Sequence, residues 1–509
     1  MPNDIPDRGT VRLSLISHTN VGKTTLARTL LRRDIGEVRD AAHVTEVAES
    51  HTLIETPQGE RLVLWDTPGF GDSARLLRRL EQSANPLGWF LTQVWDRYTD
   101  RPFWSSQQAM RNVRDHADVV LYLANAAEDP AGAGYVDPEM RILGWIGKPV
   151  VVLLNQLGPP RPAELEAADV DAWSRYLTRH AIVRDVLAFD AFARCWVQED
   201  TLLERVGAVL EGARAGTFER LAAAWQARNR AVFEQSIAVL ARQLAVTALD
   251  REPAPARGAA AATRALIGQL TGGEARDPAL DRAMTVLAER ADTCVRESTD
   301  ELIRLHGLAG NAGAEILKRV GGEFDVQAAA EPAGAGVLGA ILSGALGGLA
   351  ADLAAGGLTF GAGALIGGLL GAAGMHQLAR AYNAARGSDT TIVSWSPPFM
   401  TARVSAAVLR YLAVAHFGRG RGEYVQSEYP AHWVAVVDVA VRQEGDRLAG
   451  LWTGCAGDSD PGPLAARLVP VVGELLRRSL ATLYPAARGT ITLSAPGSTE
   501  KTAGVRPTI

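Results

Sequence analysis

Val11-Arg12-Leu13-Ser14-Leu15-Ile16 runs straight into Ser17-His18-Thr19-Asn20-Val21-Gly22-Lys23-Thr24-Thr25. An apolar run followed by a small-residue turn and a Gly-Lys-Thr is the pattern of a strand, a phosphate-cradling loop and a helix. Backbone N–H groups and the helix N-terminus would wrap a β-phosphate, Gly22 would let the backbone come close, and Lys23 would reach the β and γ oxygens. Asn20, Val21, Thr25 and their neighbours in this turn are the candidate nucleotide-binding residues. Ser17 stands where the usual pattern has glycine, a small residue that fits the place but constrains the turn.

A second apolar run, Leu62–Trp65, ends in Asp66-Thr67-Pro68-Gly69. At the end of a neighbouring strand, Asp66 would share a Mg²⁺ ion with the Thr24 hydroxyl, and Gly69 would offer its N–H to a γ-phosphate. Residues 10–215 alternate apolar strands with amphipathic stretches, which predicts an α/β domain with a mostly parallel sheet and helices on both faces. The strands are expected near 11–16, 52–56, 61–66, 118–123, 149–154 and 185–189.

Asn20-x-Gly22-Lys23-Thr24 together with Asp66-Thr67-Pro68-Gly69-Phe70 resembles the Era/septin-like branch of the translation-factor-related P-loop GTPases. The whole chain is similar to bacterial GTPases with a glycine-rich hairpin and an uncharacterised C-terminal domain. That likeness rests on His18-Thr19-Asn20, Gly36-Glu37-Val38, the hairpin itself and Arg410-Tyr411-Leu412-Ala413-Val414-Ala415-His416-Phe417-Gly418-Arg419-Gly420-Arg421-Gly422.

The resemblance implies slow GTP hydrolysis with Mg²⁺, a catalytic set of Lys23, Thr45 and Gly69, and a metal set of Thr24, Thr45 and Asp66. Thr45 would be the switch threonine, with Thr52 as its rival. Phe70 stands where many relatives place a water-orienting glutamine. Asn20 is either a ligand for an activating K⁺ or a brace of the loop. Base reading would fall to Asn155-Gln156-Leu157-Gly158 and Asp190-Ala191. Gly158 replaces the aspartate that accepts from guanine N1–H and N2–H₂, with Asp190 as a partial substitute, so weak guanine preference or acceptance of ATP is expected.

At 509 residues and 54.1 kDa, with 47% hydrophobic residues, the chain has room for several domains. A net charge of −5 gives no broad basic face, so no nucleic-acid partner is expected. Three scattered cysteines, Cys195, Cys294 and Cys455, show no metal spacing and read as reduced thiols. The start, Met1-Pro2-Asn3-Asp4, lacks the features of a signal peptide.

Ser73–Asp115 forms an insertion with Trp89, Phe90, Trp95, Tyr98, Phe103 and Trp104, in a chain that is 6% aromatic. These are either a surface for an unidentified protein partner or the glue that fixes the insertion to the core. Residues 216–331 read as a helical stalk or bundle broken at Glu252-Pro253-Ala254-Pro255, and 377–484 as a helical C-terminal domain ending in an amphipathic helix near Leu464–Leu483. Residues 485–509 read as a disordered tail. His376 and His416 read as packing residues.

Residues 332–376 form the second informative stretch. Between Ala333 and Met375 only Asp352 is charged, and it divides Ala333–Ala351 from Leu353–Met375. As a helix the shorter run would span roughly 28 Å, close to a bilayer core. Ala340, Gly344 and Gly348, and then Gly363, Gly367 and Gly371, recur every four residues, as in glycine-zipper membrane helices.

A constitutive membrane hairpin, a conditionally released one and a buried soluble one all remain open. Lys318, Arg319, Arg380 and Arg386 would keep its ends on the cytoplasmic face of the inner membrane, with a cytosolic pool. Arg419 and Arg421 would serve either lipid headgroups or a helix stop. Taken together, these features predict a membrane-associated GTPase, with a non-hydrolysing effector and a dynamin-like remodeller as alternatives and a nucleotide-dependent homodimer as a further expectation.

Overall fold

The computed structural model describes residues 9–32, 48–86, 88, 100–158, 161–191, 195–255, 278–308, 390–417, 430–455 and 458–493. Two compact units emerge, the first comprising 1–231, 416–422 and 477–509, the second 232–415 and 423–476.

The first unit is built on six strands: β1 Thr10–Ser17, β2 Glu49–Glu55, β3 Arg61–Asp66, β4 Val119–Asn125, β5 Val150–Asn155 and β6 Val183–Ala188. Their order is β2-β3-β1-β4-β5-β6, and only the edge pair β2/β3 is antiparallel. All six residues of β5 are buried, as are the first six of β4, because a central parallel strand is covered on both faces.

Alternate residues of those strands feed two cores. Val120, Tyr122, Val152 and Leu154 pack on one face with α2 Ser73–Leu80, α3 Arg101–His116, α4 Val136–Ile146 and α5 Ala163–Leu177. Leu121, Leu123, Val151 and Leu153 pack on the other with α1 Lys23–Leu31, α6 Trp196–Ala208 and the start of α7 Gly212–Leu249. The doubly covered, mostly parallel sheet read from the apolar runs is therefore present.

Of the aromatic insertion, Trp89, Phe90, Trp95 and Tyr98 lie outside the described residues. Phe103 is 1% exposed in the core, with Arg75 and Arg79 over its ring, so this side chain serves as glue. The final stretch corrects the expected tail. Pro485–Ala487 and Arg488–Leu493 are helical, and Ala487 and Ile491 are buried, so order extends past Pro485 because these apolar residues have a surface to cover. His416 packs as expected, stacked on Tyr484 with its Nε2 2.5 Å from that hydroxyl.

A buried polar cluster ties α6 to α1 and α7. Glu199 Oε2 accepts from Trp225 Nε1 at 2.8 Å and from Asn229 Nδ2 at 3.1 Å, while Asn229 Oδ1 accepts from Arg32 at 2.6 Å. Beside them burial, reinforced by the Glu199 charge, raises Asp200 to about 7. A raised carboxyl pKa means that the folded state holds a proton the unfolded chain would release. The resulting penalty is absent below about pH 4, grows through the window up to about 7 and is complete above it. Asp200→Asn is expected to raise stability at pH 8 by about 1–3 kcal/mol and to change little at pH 4, as denaturant titrations at the two pH values would show. Equal effects at both would contradict this account.

The second unit is helical: α8 Pro278–Leu305, α9 Pro397–Ala415, α10 Ala431–Gln443, α11 Gly445–Gly454 and part of α12 Pro461–Leu483, together with the end of α7. The helix ends at Leu249, at the proline-rich break read at 252–255, and the break takes the form of a strand, Arg251–Pro255, paired antiparallel with Thr390–Ser394. Pro253 and Pro255, two residues apart, lack N–H groups on the same strand edge, which a two-stranded ribbon can leave open. Arg290 clamps the start of this ribbon through Asp250 at 2.8 Å and Glu252 at 2.6 Å. The hairpin 332–376 and the Arg419/Arg421 motif lie outside the described residues.

Candidate nucleotide site

β1 and β3 deliver their C-terminal ends side by side, Leu15 in register with Asp66, so the 18–22 turn and the 67–70 turn meet. In open α/β sheets this carboxyl edge is where ligands bind. Phe70 N–H donates to Ser17 O at 2.9 Å, and Thr67 Oγ1 donates to Leu15 O at 2.6 Å, binding the two turns together.

Gly22 has φ +98°, and a Cβ there would lie 2.7 Å from Asn155 Nδ2. Only glycine meets both demands. A Cβ on Gly69 would lie 3.0 Å from Lys23 Nζ and 3.2 Å from Thr19 Cα, so a side chain here would crowd the lysine.

Lys23, 8% exposed, donates to Ser17 Oγ at 2.9 Å. Burial lowers its pKa against the opposing pull of Asp66 and Glu139. Thr24 Oγ1 donates to Asp66 Oδ2 at 2.6 Å, and burial pushes Asp66 up to about 6 against the Thr24 hydrogen bond and the Lys23 charge. Asp66 Oδ1 is buried without a hydrogen-bond partner. A hydroxyl and a carboxylate at the loop's end, one carboxylate oxygen unsatisfied, fit a hard divalent cation that keeps most of its water. Among the described residues no group of three His, Cys, Asp or Glu side chains is placed to hold a metal ion.

Asn155 bridges three loops. Its Nδ2 donates to Val21 O at 2.6 Å and its Oδ1 accepts from Ala191 N–H at 2.8 Å. Gln156, at φ +61°, donates to Asn20 O at 3.2 Å, and Asn20 itself is left-handed at φ +66°. Asp190 is turned inward, its Oδ2 accepting from Leu157 N–H at 2.7 Å, so the residue read as a partial substitute in base reading is engaged by the loop backbone. Thr25 is buried under the turn.

Thr45 lies outside the described residues. Thr52, its rival, sits in β2 in register with Val63 and so belongs to the sheet rather than to a loop. Phe70 is fully buried in the core and offers no polar group.

Sequence reasoning missed a chain beside the loop. His18 Nδ1 lies 2.8 Å from Glu139 Oε1, and Tyr122 donates to Glu139 Oε2 at 2.7 Å, with Glu139 0% exposed. The His18 ring stacks on Tyr135 with centroids 4.3 Å apart. A cavity of about 380 Å³ adjoins it, lined in part by His18, Thr19, Gly71, Asp72 and Tyr135. No spacing joins residues 18 and 139, so only the histidine inside the motif could have drawn attention.

The sheet and this site define an α/β P-loop domain with the GTPase fold. Residues 12–156 match the family described as 50S ribosome-binding GTPase. The chain belongs to the family of the domain of unknown function DUF3482, which matches residues 177–454, more than half of its length. It is 25% identical over 153 residues to GTPase Der of Enterococcus faecalis, a stretch covering 30% of this chain and 29% of that protein, so it spans less than a third of that relative. An Aquifex aeolicus Era structure bound to GDP and aluminium fluoride aligns at 15% identity with a TM-score of 0.30, covering 59% of this chain and 99% of the other. An Era complex with MgGDPNP and a 16S ribosomal RNA fragment aligns at 14% with a TM-score of 0.29 over the same shares.

Proposed function

We propose that this chain binds GTP with Mg²⁺, hydrolyses it slowly, and uses the nucleotide state to control a membrane-inserting glycine-rich segment. The Thr24–Asp66 pair carries the reading, with its unsatisfied buried Asp66 oxygen set beside Lys23. Mg²⁺ held there would offset phosphate charge. Lys23 orients the β and γ oxygens, Gly69 N–H caps the γ-phosphate, and Asn155 holds the phosphate loop to the base loop. Thr45 would close on the same ion.

Slow turnover follows from Phe70, an apolar side chain with no means of aligning water. The same residue favours the second reading, a nucleotide sensor that does not hydrolyse. K⁺ stimulation through Asn20 belongs to the first. Phosphate release in Mg²⁺ with K⁺ or Na⁺ separates them: turnover above an EDTA control supports the enzyme, and none under either ion leaves only the sensor.

The membrane part rests on the composition of 333–375. Among the described residues one helix, Gly212–Leu249, is also long and apolar enough to cross a bilayer, but half of its most apolar 18-residue window is buried in the structure, as in a core helix. Carbonate extraction of membranes tests the hairpin. Retention in the pellet supports insertion, and complete release would rule out a spanning hairpin. The partners this function needs are GTP, a lipid bilayer and a protein recognised by the 73–115 insertion, with a homodimer as a further form.

A further inference from the structure

We infer that His18, held by Glu139, orients the attacking water in place of the side chain that Phe70 cannot supply; this rests on the hydrolytic reading above. The Glu139 carboxylate is buried and already accepts from Tyr122, so its second oxygen fixes the proton of His18 on Nδ1 at 2.8 Å. Stacking on Tyr135 holds the ring plane. Nε2 is then the ring's remaining polar atom, an acceptor on a side chain that lines the cavity.

Thr19 also lines that cavity, and its backbone N lies 3.3 Å from a Cβ built on Gly69, which in turn lies 3.0 Å from Lys23 Nζ. The cavity therefore shares a wall with the residues that surround the γ-phosphate position. Carboxylate, imidazole and acceptor nitrogen in series are the arrangement that aims a nucleophile.

In the step itself the water oxygen bonds to the γ-phosphorus while the bond from that phosphorus to the β–γ bridging oxygen breaks. Its electron pair stays on the diphosphate of GDP. The water proton aimed away from phosphorus is held by His18 Nε2, and the proton released on attack goes to the phosphate product.

Single-turnover hydrolysis by the full chain tests this, with GDP affinity as the second readout and Lys23→Ala as background. His18→Ala is expected to slow the chemical step at least about tenfold with GDP affinity within about twofold of the parent. His18→Phe keeps the stack on Tyr135 but no acceptor, and should be as slow as alanine. His18→Gln loses the ring but keeps an acceptor, and should recover part of the rate. Glu139→Gln should slow the step without loosening GDP.

If the parent exceeds the Lys23→Ala background and His18→Phe hydrolyses at the parent rate, the assignment is overturned while the hydrolytic reading stands. It is also overturned if His18→Gln is as slow as His18→Phe, since the ring alone would then matter. If the parent does not exceed that background, the hydrolytic reading falls and the assignment falls with it.

Discussion

Lys23→Ala is expected to weaken binding of both GTP and GDP by about a hundredfold or more, with the larger loss for GTP. Lys23 is buried and the acceptor of its ammonium in the structure is Ser17 Oγ, a neutral group that a phosphate oxygen would outcompete. Charge-assisted hydrogen bonds in a desolvated site contribute about 1.5–3 kcal/mol each, and the lysine can make one to each of two phosphates. Losing both corresponds to roughly 3–6 kcal/mol, or more than about a hundredfold in Kd.

The effect on folding should be smaller. Burial already works against the ammonium, so deleting it removes a desolvation cost while leaving Asp66 and Glu139 without its counter-charge. Lys23→Arg is expected to fail as well, because the wider planar fork must fit beside Gly69, where even an added Cβ would lie 3.0 Å from Lys23 Nζ. Nucleotide titration beside a thermal melt separates lost binding from lost structure. A Lys23→Ala chain that binds GDP like the parent would contradict the site.

Base selection gives the second large effect. The parent is expected to bind GDP and ADP within about tenfold of each other, and Gly158→Asp to shift the ratio toward GDP by at least about tenfold. Asn155 is spent on Val21 and Ala191, and Asp190 is engaged by Leu157. The paired acceptor that guanine N1–H and N2–H₂ require is thus missing from position 158.

Among the described residues nothing lies within 4 Å of a Cβ built there, which leaves the new carboxylate space on that side. The obstacle is the backbone, since φ is +81° and a non-glycine residue pays about 1 kcal/mol, less for aspartate, which tolerates the left-handed region. A paired acceptor is worth about 2–4 kcal/mol, which exceeds that strain. Competition between the two diphosphates in both proteins reads the ratio directly. A parent that already prefers GDP a hundredfold would show that another group reads the base.

The nucleotide domain was largely legible because its signals are local. A buried strand, a small-residue turn and a Gly-Lys-Thr lie within one short stretch, and β3 ends in Asp66 by the same logic. Their pairing follows from topology, and the structure brings Thr24 and Asp66 within hydrogen-bond distance. Asn155 was legible as the residue that ends the strand before the base-reading loop, yet its double role, donating to Val21 and accepting from Ala191, depends on neighbouring loops meeting there.

Long-range partners were not legible. Glu139 shares no motif with His18, and an acidic residue early in a helix usually faces water, whereas here it is fully buried between a histidine and a tyrosine. Prolines at 253 and 255 read as a break because proline interrupts helices. That the interruption is a strand depends on a partner, Thr390–Ser394, far along the chain. The Pro485–Leu493 segment reads as polar tail until the burial of Ala487 and Ile491 is known.

Calorimetric titration of the full chain with GTP tests the central claim, that the loop between β1 and α1 encloses a magnesium-chelated polyphosphate. Saturable one-site binding in Mg²⁺ that weakens at least about tenfold in EDTA is the predicted result. No saturable heat with GTP, GDP or ATP in magnesium would contradict it.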